Sequence, residues 1–143
     1  MLHYADDKQK ARQCLNKLGI HCMSMDKDDA KSILNEIAKS KHVVSSSLHG
    51  IIAAEALGKP AVLLRCSGNH EPMFKYTDYY LGSGRTKDDI KTTTLEEMQQ
   101  DLSNVQFTKP AKFDFKSLIE TFPLKLKDDN ILDKILKYYS ICN

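Results

Sequence analysis

The sequence predicts an α/β fold, a three-layer Rossmann-like domain with a mostly parallel sheet between helices. Segments with helical spacing of apolar residues alternate with short apolar runs from residue 8 to residue 64, and this alternation is typical of crossovers onto a parallel sheet. The runs at 42–45 and 61–64 carry no polar stripe. They therefore indicate strands that helices cover on both faces.

The stretch at 41–59, KHVVSSSLHGIIAAEALGK, is the centre of the predicted fold. Its β-branched start predicts a strand, and the apolar spacing that begins at Leu48 predicts a helix. Three serines at 45–47 stand where this helix needs an N-terminal cap, so we expect their hydroxyls to cap it. Gly58, followed by Pro60, predicts the helix end.

Further elements are predicted on both sides of this stretch. A helix from residue 8 ends at Gly19, a strand covers 20–25, and a helix covers 30–38. Residues 73–81 are helical or turn-like. A strand fragment at 91–94 then leads into a helix that Thr94 caps together with Glu97. Helices at 113–122 and 131–139 follow. We therefore expect a Rossmann-like domain at 1–108 and a C-terminal helical extension at 109–143.

Composition and charge argue against nucleic-acid, membrane and metal-binding functions. Lys and Arg number 21 against 19 Asp and Glu, giving a net charge of +2; this balance does not favour a nucleic-acid or membrane-surface partner. The four cysteines have no C-x-x-C spacing, so we expect free thiols and no metal site. No apolar run reaches membrane-spanning length and no signal peptide is evident. The sequence thus predicts a cytoplasmic protein.

The junction between the central strand and its helix is the candidate site. Where a parallel strand ends and its helix begins, free backbone N–H groups and the positive end of the helix dipole face the ligand crevice. Ser47, Leu48, His49 and Gly50 occupy this position, and they suit an anion such as phosphate or carboxylate. A plain helix cap with a structural histidine fits the same spacing, so both interpretations stay open.

Three stretches together resemble one known family. They are HYAD at 3–6, SSSLHGIIAAEA at 45–56 and FKYTDYY at 74–80. They are similar to the C-terminal half of polysaccharide pyruvyl transferases, and the SLHG turn is the most specific of the three. The resemblance implies half of a two-domain GT-B-like fold. It also implies transfer of a pyruvyl group from phosphoenolpyruvate to sugar hydroxyls, as a ketal, in polysaccharide or exopolysaccharide biosynthesis.

The resemblance also implies roles for individual residues. His49 falls on the family's active-site histidine, and Ser46, Ser47, Leu48 and Gly50 fall near the donor. Some members carry an arginine where this sequence has Ser47, so Arg65, Lys75 or Arg85 is expected to supply the cation. Phosphoenolpyruvate is then the donor substrate, with no cofactor, and a glycan is the acceptor.

Two further interpretations stay open, because a fold alone does not determine function. The crevice of such a sheet also suits a nucleotide-sugar-dependent glycosyltransferase of the GT-B type. A non-catalytic anion-binding or interaction domain is the other alternative. The chain is shorter than the enzymes it resembles, so we expect an N-terminal acceptor domain to be missing, or a homo-oligomer to form in its place.

Overall fold

The computed structural model describes residues 8–23, 29–66 and 72–111, together with Leu2 and Lys137. The chain divides into two compact units, Met1–Ala111 and Lys112–Asn143, and every element below lies in the first. The helices are α1 (Lys8–Lys17), α2 (Ala30–Lys39), α3 (Leu48–Ala56), α4 (Phe74–Gly82) and α5 (Leu95–Gln100). The strands are β1 (Val43–Ser45), β2 (Ala61–Leu64) and β3 (Thr92–Thr93), and short 3-10 turns cover Lys87–Asp89 and Leu102–Asn104.

The three strands form a small open sheet in the order β1-β2-β3, and both pairs are parallel. Ser45 lies opposite Leu63, and Leu64 lies opposite Thr93. The carboxyl ends of all three strands therefore meet at one edge of the sheet, which we call the carboxyl edge. The predicted strand, helix and strand at 42–64 are confirmed as β1, α3 and β2.

The prediction of a strand at 20–25 is wrong for its described part, since residues 20–23 are not in a strand. The cause is the way in which α1 ends. Gly19 adopts a φ of 71°, and the Ile20 N–H donates to the Leu15 carbonyl at 2.9 Å. This helix cap uses the amide that would begin a strand. The third strand of the sheet is instead the fragment predicted at 91–94.

Helices cover both faces of the sheet, as the sequence predicts. On one face, side chains of α2, α3 and α4 pack with β1 and β2; this cluster is Ile33, Ile37, Val43, Ile51, Ala54, Ala61 and Tyr80. On the other face α1 packs on α5; this cluster is Leu2, Ala11, Cys14, Leu15, Leu64, Cys66, Leu95 and Met98. The two clusters hold the sheet in the middle of three layers.

Several helix ends follow the predicted chemistry. Gly58 has a φ of 69°, and its N–H and that of Lys59 return to α3 carbonyls at 3.0 and 2.8 Å. Thr94 accepts from the Glu97 N–H at 3.2 Å while Glu97 accepts from the Thr94 N–H at 2.8 Å. Both arrangements satisfy groups that a helix end leaves unpaired.

Thr108, in the stretch 105–112 where the sequence predicts a linker, is bonded to the sheet. Thr108 forms an antiparallel bridge with Ala61, with backbone hydrogen bonds of 2.8 and 3.0 Å. The predicted helices at 113–122 and 131–139 and the HYAD stretch at 3–6 fall outside the described residues, and the domain boundary at 108 stays a prediction. None of the described helices is both long enough and apolar enough to cross a membrane.

Candidate functional site

A buried serine fixes the turn that follows β1. The Ser45 hydroxyl accepts from the Ser47 N–H at 3.1 Å and donates to the Ser47 carbonyl at 3.0 Å. Ser47 stands at the N-cap position of α3, but its side chain makes no capping bond. The expected side-chain cap is therefore not made by Ser47, and the hydroxyl of Ser45 holds the turn instead.

The first amides of α3 are available to a ligand. The backbone N–H groups of Leu48 and His49 have no hydrogen-bond partner among the described residues, as expected for the first turn of a helix. The His49 side chain is exposed. Two donors, the positive end of the helix dipole and an imidazole thus meet at the carboxyl edge.

The other predicted residues of this turn are buried. Ser46 and Ser47 are 1% and 9% exposed, and Gly50 is buried inside α3. The Gly50 N–H donates to the Ser47 carbonyl at 3.1 Å. These three residues shape the backbone that presents the Leu48 and His49 amides.

Helix α4 begins beside the same turn. The Tyr76 hydroxyl, from its first turn, donates to the Ser46 carbonyl at 3.2 Å, and the Tyr76 side chain is buried. The Arg65 guanidinium contacts the Met73 sulfur at 3.4 Å. Met73 directly precedes α4, so this contact places Arg65 near the start of the helix.

Of the three cations that the sequence nominates, Arg65 and Lys75 lie near the start of α4. The Arg65 N–H donates to the Thr93 carbonyl at 2.8 Å, directly after β2. The Lys75 Nζ lies 5.2 Å from the centre of the Tyr76 ring. Arg65 thus directly follows β2 at the carboxyl edge, and Lys75 lies beside Tyr76, whose hydroxyl bonds to the turn after β1.

Arg85 is engaged elsewhere. Its guanidinium makes two hydrogen bonds of 2.9 Å to the Glu55 carboxylate on α3 and lies 3.9 Å from the centre of the Tyr80 ring. Its Nε donates to the Ser83 hydroxyl at 2.8 Å. The side chains of Arg85 and Glu55 are 12% and 1% exposed. Arg85 thus neutralises a buried carboxylate.

Glu55 and Tyr76 are the residues that the sequence analysis missed. Glu55 lies four positions after Ile51, on the buried face of α3, and an acid at an apolar helical position is a signal that a partner is needed. The Tyr79 hydroxyl also donates to Glu55, at 2.9 Å. Burial, followed by the charge of Glu55 and this hydrogen bond, raises the pKa of the Tyr79 phenol.

Two cavities lie away from the predicted site residues. One, of about 550 Å³, is bordered by the start of β1; its lining is Leu15, Ile20, His21, Cys22, Met23, Glu36, Ser40, His42, Val43, Val44, Leu102, Ser103, Val105 and Phe107. The other, of about 370 Å³, is bordered by β3 and α5. Within the described ranges, no group of three or more His, Cys, Asp or Glu side chains is placed to hold a metal ion, and Cys14, Cys22 and Cys66 are free thiols.

Comparison with known proteins gave one finding. Residues 2–68 match the family model described as polysaccharide pyruvyl transferase. This match confirms the predicted resemblance over the stretches at 3–6 and 45–56, while the stretch at 74–80 lies beyond it. No curated protein and no solved structure matched the chain, so the likeness to half of a GT-B fold stays a prediction.

Proposed function

Since residues 2–68 carry the signature of polysaccharide pyruvyl transferases, we propose that this chain binds phosphoenolpyruvate and takes part in its transfer to sugar hydroxyls. The observation that supports this proposal most directly is the first turn of α3. Its Leu48 and His49 amides lack partners among the described residues, and the His49 imidazole beside them is exposed.

The donor carries two anionic groups, a phosphate and a carboxylate. In the proposal the Leu48 and His49 amides hold one of them at the positive end of the α3 dipole. Arg65 and Lys75, near the start of α4, hold the other. A guanidinium can bind a carboxylate or phosphate through two parallel hydrogen bonds, and an ammonium acts as a point charge.

The remaining nominated residues act through the backbone. Ser46, Ser47 and Gly50 set the direction of the open amides. Arg85 enters the proposal as a positioning residue, because its guanidinium is already bonded twice to Glu55. No cofactor besides the donor substrate is invoked.

The reaction requires an acid. In the proposal His49 donates a proton to the methylene carbon of phosphoenolpyruvate as the π bond to the central carbon breaks. A sugar hydroxyl oxygen bonds to the central carbon and gives its proton to the imidazole, which restores the acid. The bond from the central carbon to the phosphate oxygen then breaks, a second sugar hydroxyl bonds to the same carbon and closes the ketal, and its proton leaves with the phosphate.

Substitution of His49 tests the catalytic role. In the protein supplied with phosphoenolpyruvate and the glycan acceptor, His49→Gln should slow ketal formation by roughly a hundredfold or more, because general acid catalysis contributes on that scale. The melting temperature should hardly change, since the side chain is exposed. Ketal product and released phosphate are measured together, with His42→Gln as the matched exposed-histidine control. Turnover retained in His49→Gln would exclude His49 as the acid.

Thermal shift distinguishes the proposal from its alternatives. A ligand that binds the native state at a hundred times its Kd stabilises it by about 2.7 kcal/mol. Phosphoenolpyruvate should therefore raise the melting temperature, and Arg65→Gln or Lys75→Gln should reduce that rise. Stabilisation by UDP- or GDP-sugars alone would instead support a glycosyltransferase. A chain that none of these ligands stabilises would support the non-catalytic interpretation.

A further inference from the structure

Tyr76 contacts the turn that presents His49. Its side chain is 1% exposed, and its hydroxyl donates to the Ser46 carbonyl at 3.2 Å across 30 positions of sequence. Ser46 is itself 1% exposed. The hydrogen bond therefore lies in a buried environment, where the loss of a donor is more costly than at the surface.

Helix α4 is attached to α3 at a second point. Tyr79 and Arg85 bond the Glu55 carboxylate at 2.9 Å, and Glu55 is the penultimate residue of α3. The Tyr76 bond is at the other end of α3, just before its first turn. Because α4 is held at both ends of α3, the Tyr76 oxygen has a defined position relative to the strand-to-helix turn.

We infer that Tyr76 is a positioning residue for the donor site, an inference that rests on the proposed function. Its hydroxyl donates to the carbonyl of the Ser46–Ser47 peptide, and the N–H of that same peptide donates to the Ser45 hydroxyl. The Ser45 hydroxyl in turn donates to the carbonyl of the next peptide, Ser47–Leu48, which carries the Leu48 N–H. The orientation of these two peptides sets the direction of the Leu48 and His49 amides. Tyr76 thus acts through the backbone and touches neither donor nor acceptor.

A pair of matched substitutions tests the inference. Tyr76→Phe and Tyr79→Phe each remove one phenol oxygen that donates a hydrogen bond and keep the ring in place, so both variants should fold. Amide hydrogen exchange is measured by NMR in the ligand-free chain at Ser47, Gly50 and Ile51, whose N–H groups are bonded within the turn. After correction for global stability, exchange should be roughly fivefold faster in Tyr76→Phe and unchanged in Tyr79→Phe.

The second measurement is the Kd of phosphoenolpyruvate, followed through the His49 imidazole resonance. Tyr76→Phe should weaken binding by roughly fivefold, as expected when preorganisation of a site is lost, and Tyr79→Phe should not. Exchange at the turn that is unchanged in Tyr76→Phe, or equally faster in both variants, overturns the inference. So does an equal Kd in the two variants. If the wild-type chain does not bind the donor, the proposed function fails, and faster exchange confined to Tyr76→Phe still identifies Tyr76 as the residue that holds the turn.

Discussion

Glu55 shows how one side chain determines the roles of its neighbours. Its carboxylate is almost completely buried and accepts hydrogen bonds from both terminal nitrogens of Arg85 and from the Tyr79 hydroxyl. A buried charge without a partner is strongly destabilising, whereas a satisfied pair is close to neutral. Arg85 is therefore needed beside Glu55, and the proposed donor site uses Arg65 and Lys75 instead.

Substitution of Arg85 tests how strongly the buried Glu55 carboxylate depends on it for stability. Arg85→Met leaves the Glu55 carboxylate buried without its main partner, and the free energy of unfolding should fall by about 3–5 kcal/mol in urea titrations. In the double variant with Glu55→Gln, the loss should be smaller than the sum of the two single losses. Lys39→Met is the control, because its ion pair with Glu36 is exposed and should contribute less than about 1 kcal/mol. Equal losses in Arg85→Met and Lys39→Met would contradict the assignment.

Tyr79 should make the free energy of unfolding fall with rising pH in the alkaline range. The pKa of its phenol is raised in the folded state, first by burial and then by Glu55, so the folded protein favours the neutral phenol. The contribution of Tyr79 to the free energy of unfolding is complete below the pKa of an unfolded tyrosine, about 10. It is lost as the pH rises toward the higher pKa of the folded state. The urea midpoint should fall above about pH 10, and Tyr79→Phe should flatten that decline. A decline of the same steepness in both proteins would show that other groups cause it.

At the scale of elements, helix ends could be predicted from the sequence where a glycine or a capping pair of residues marks the end. Gly19 and Gly58 end α1 and α3 with φ values of 71° and 69°, and Thr94 with Glu97 begins α5 as predicted. The start of α3 was not predictable in detail. Three adjacent serines offer equivalent hydroxyls, and only their hydrogen bonds show that Ser45 holds the turn while Ser47 does not cap the helix.

Two glycines allow the cap of α1 to be tested by matched substitutions. A Cβ at either Gly19 or Gly82 would meet no atom within 4 Å, but only Gly19 of these two has a positive φ. Gly19→Ala should lower the free energy of unfolding by about 1–2 kcal/mol, the cost of a left-handed conformation. Gly82→Ala, at the end of α4, should leave it unchanged or raise it by up to about 1 kcal/mol. Urea unfolding measures both, and an unaffected Gly19→Ala would show that the cap contributes little.

At the scale of the molecule, the sequence was sufficient to predict the α/β class and the central strand–helix–strand unit. The spacing of apolar residues and the glycine and proline that end the helix indicate the same boundaries there. It was not sufficient to choose the third strand. Residues 20–25 are as apolar as a short strand, but the third strand of the sheet is formed by the more polar Thr92 and Thr93. Pairing partners distant in sequence decide such a choice, and they leave no local signal.

The sequence was also not sufficient to choose among the three candidate cations of the site. Arg65, Lys75 and Arg85 are equivalent candidates by composition, and only tertiary contacts separate them. The contact of Arg65 with Met73 and that of Lys75 with Tyr76 place these two near the start of α4, while Glu55 retains Arg85. The acid at an apolar position near the end of α3, Glu55, was the feature of the sequence that could have shown this.

The carboxyl edge is assembled from neighbouring parts of the chain. The turn at Ser46, the residue after β2 and the first turn of α4 all occur between Ser46 and Tyr76. These groups therefore belong to one continuous segment of the chain, and recombination of the gene at points outside this segment would keep them together. Under the proposed function, such an exchange could replace the acceptor domain and leave the proposed anion-binding groups intact.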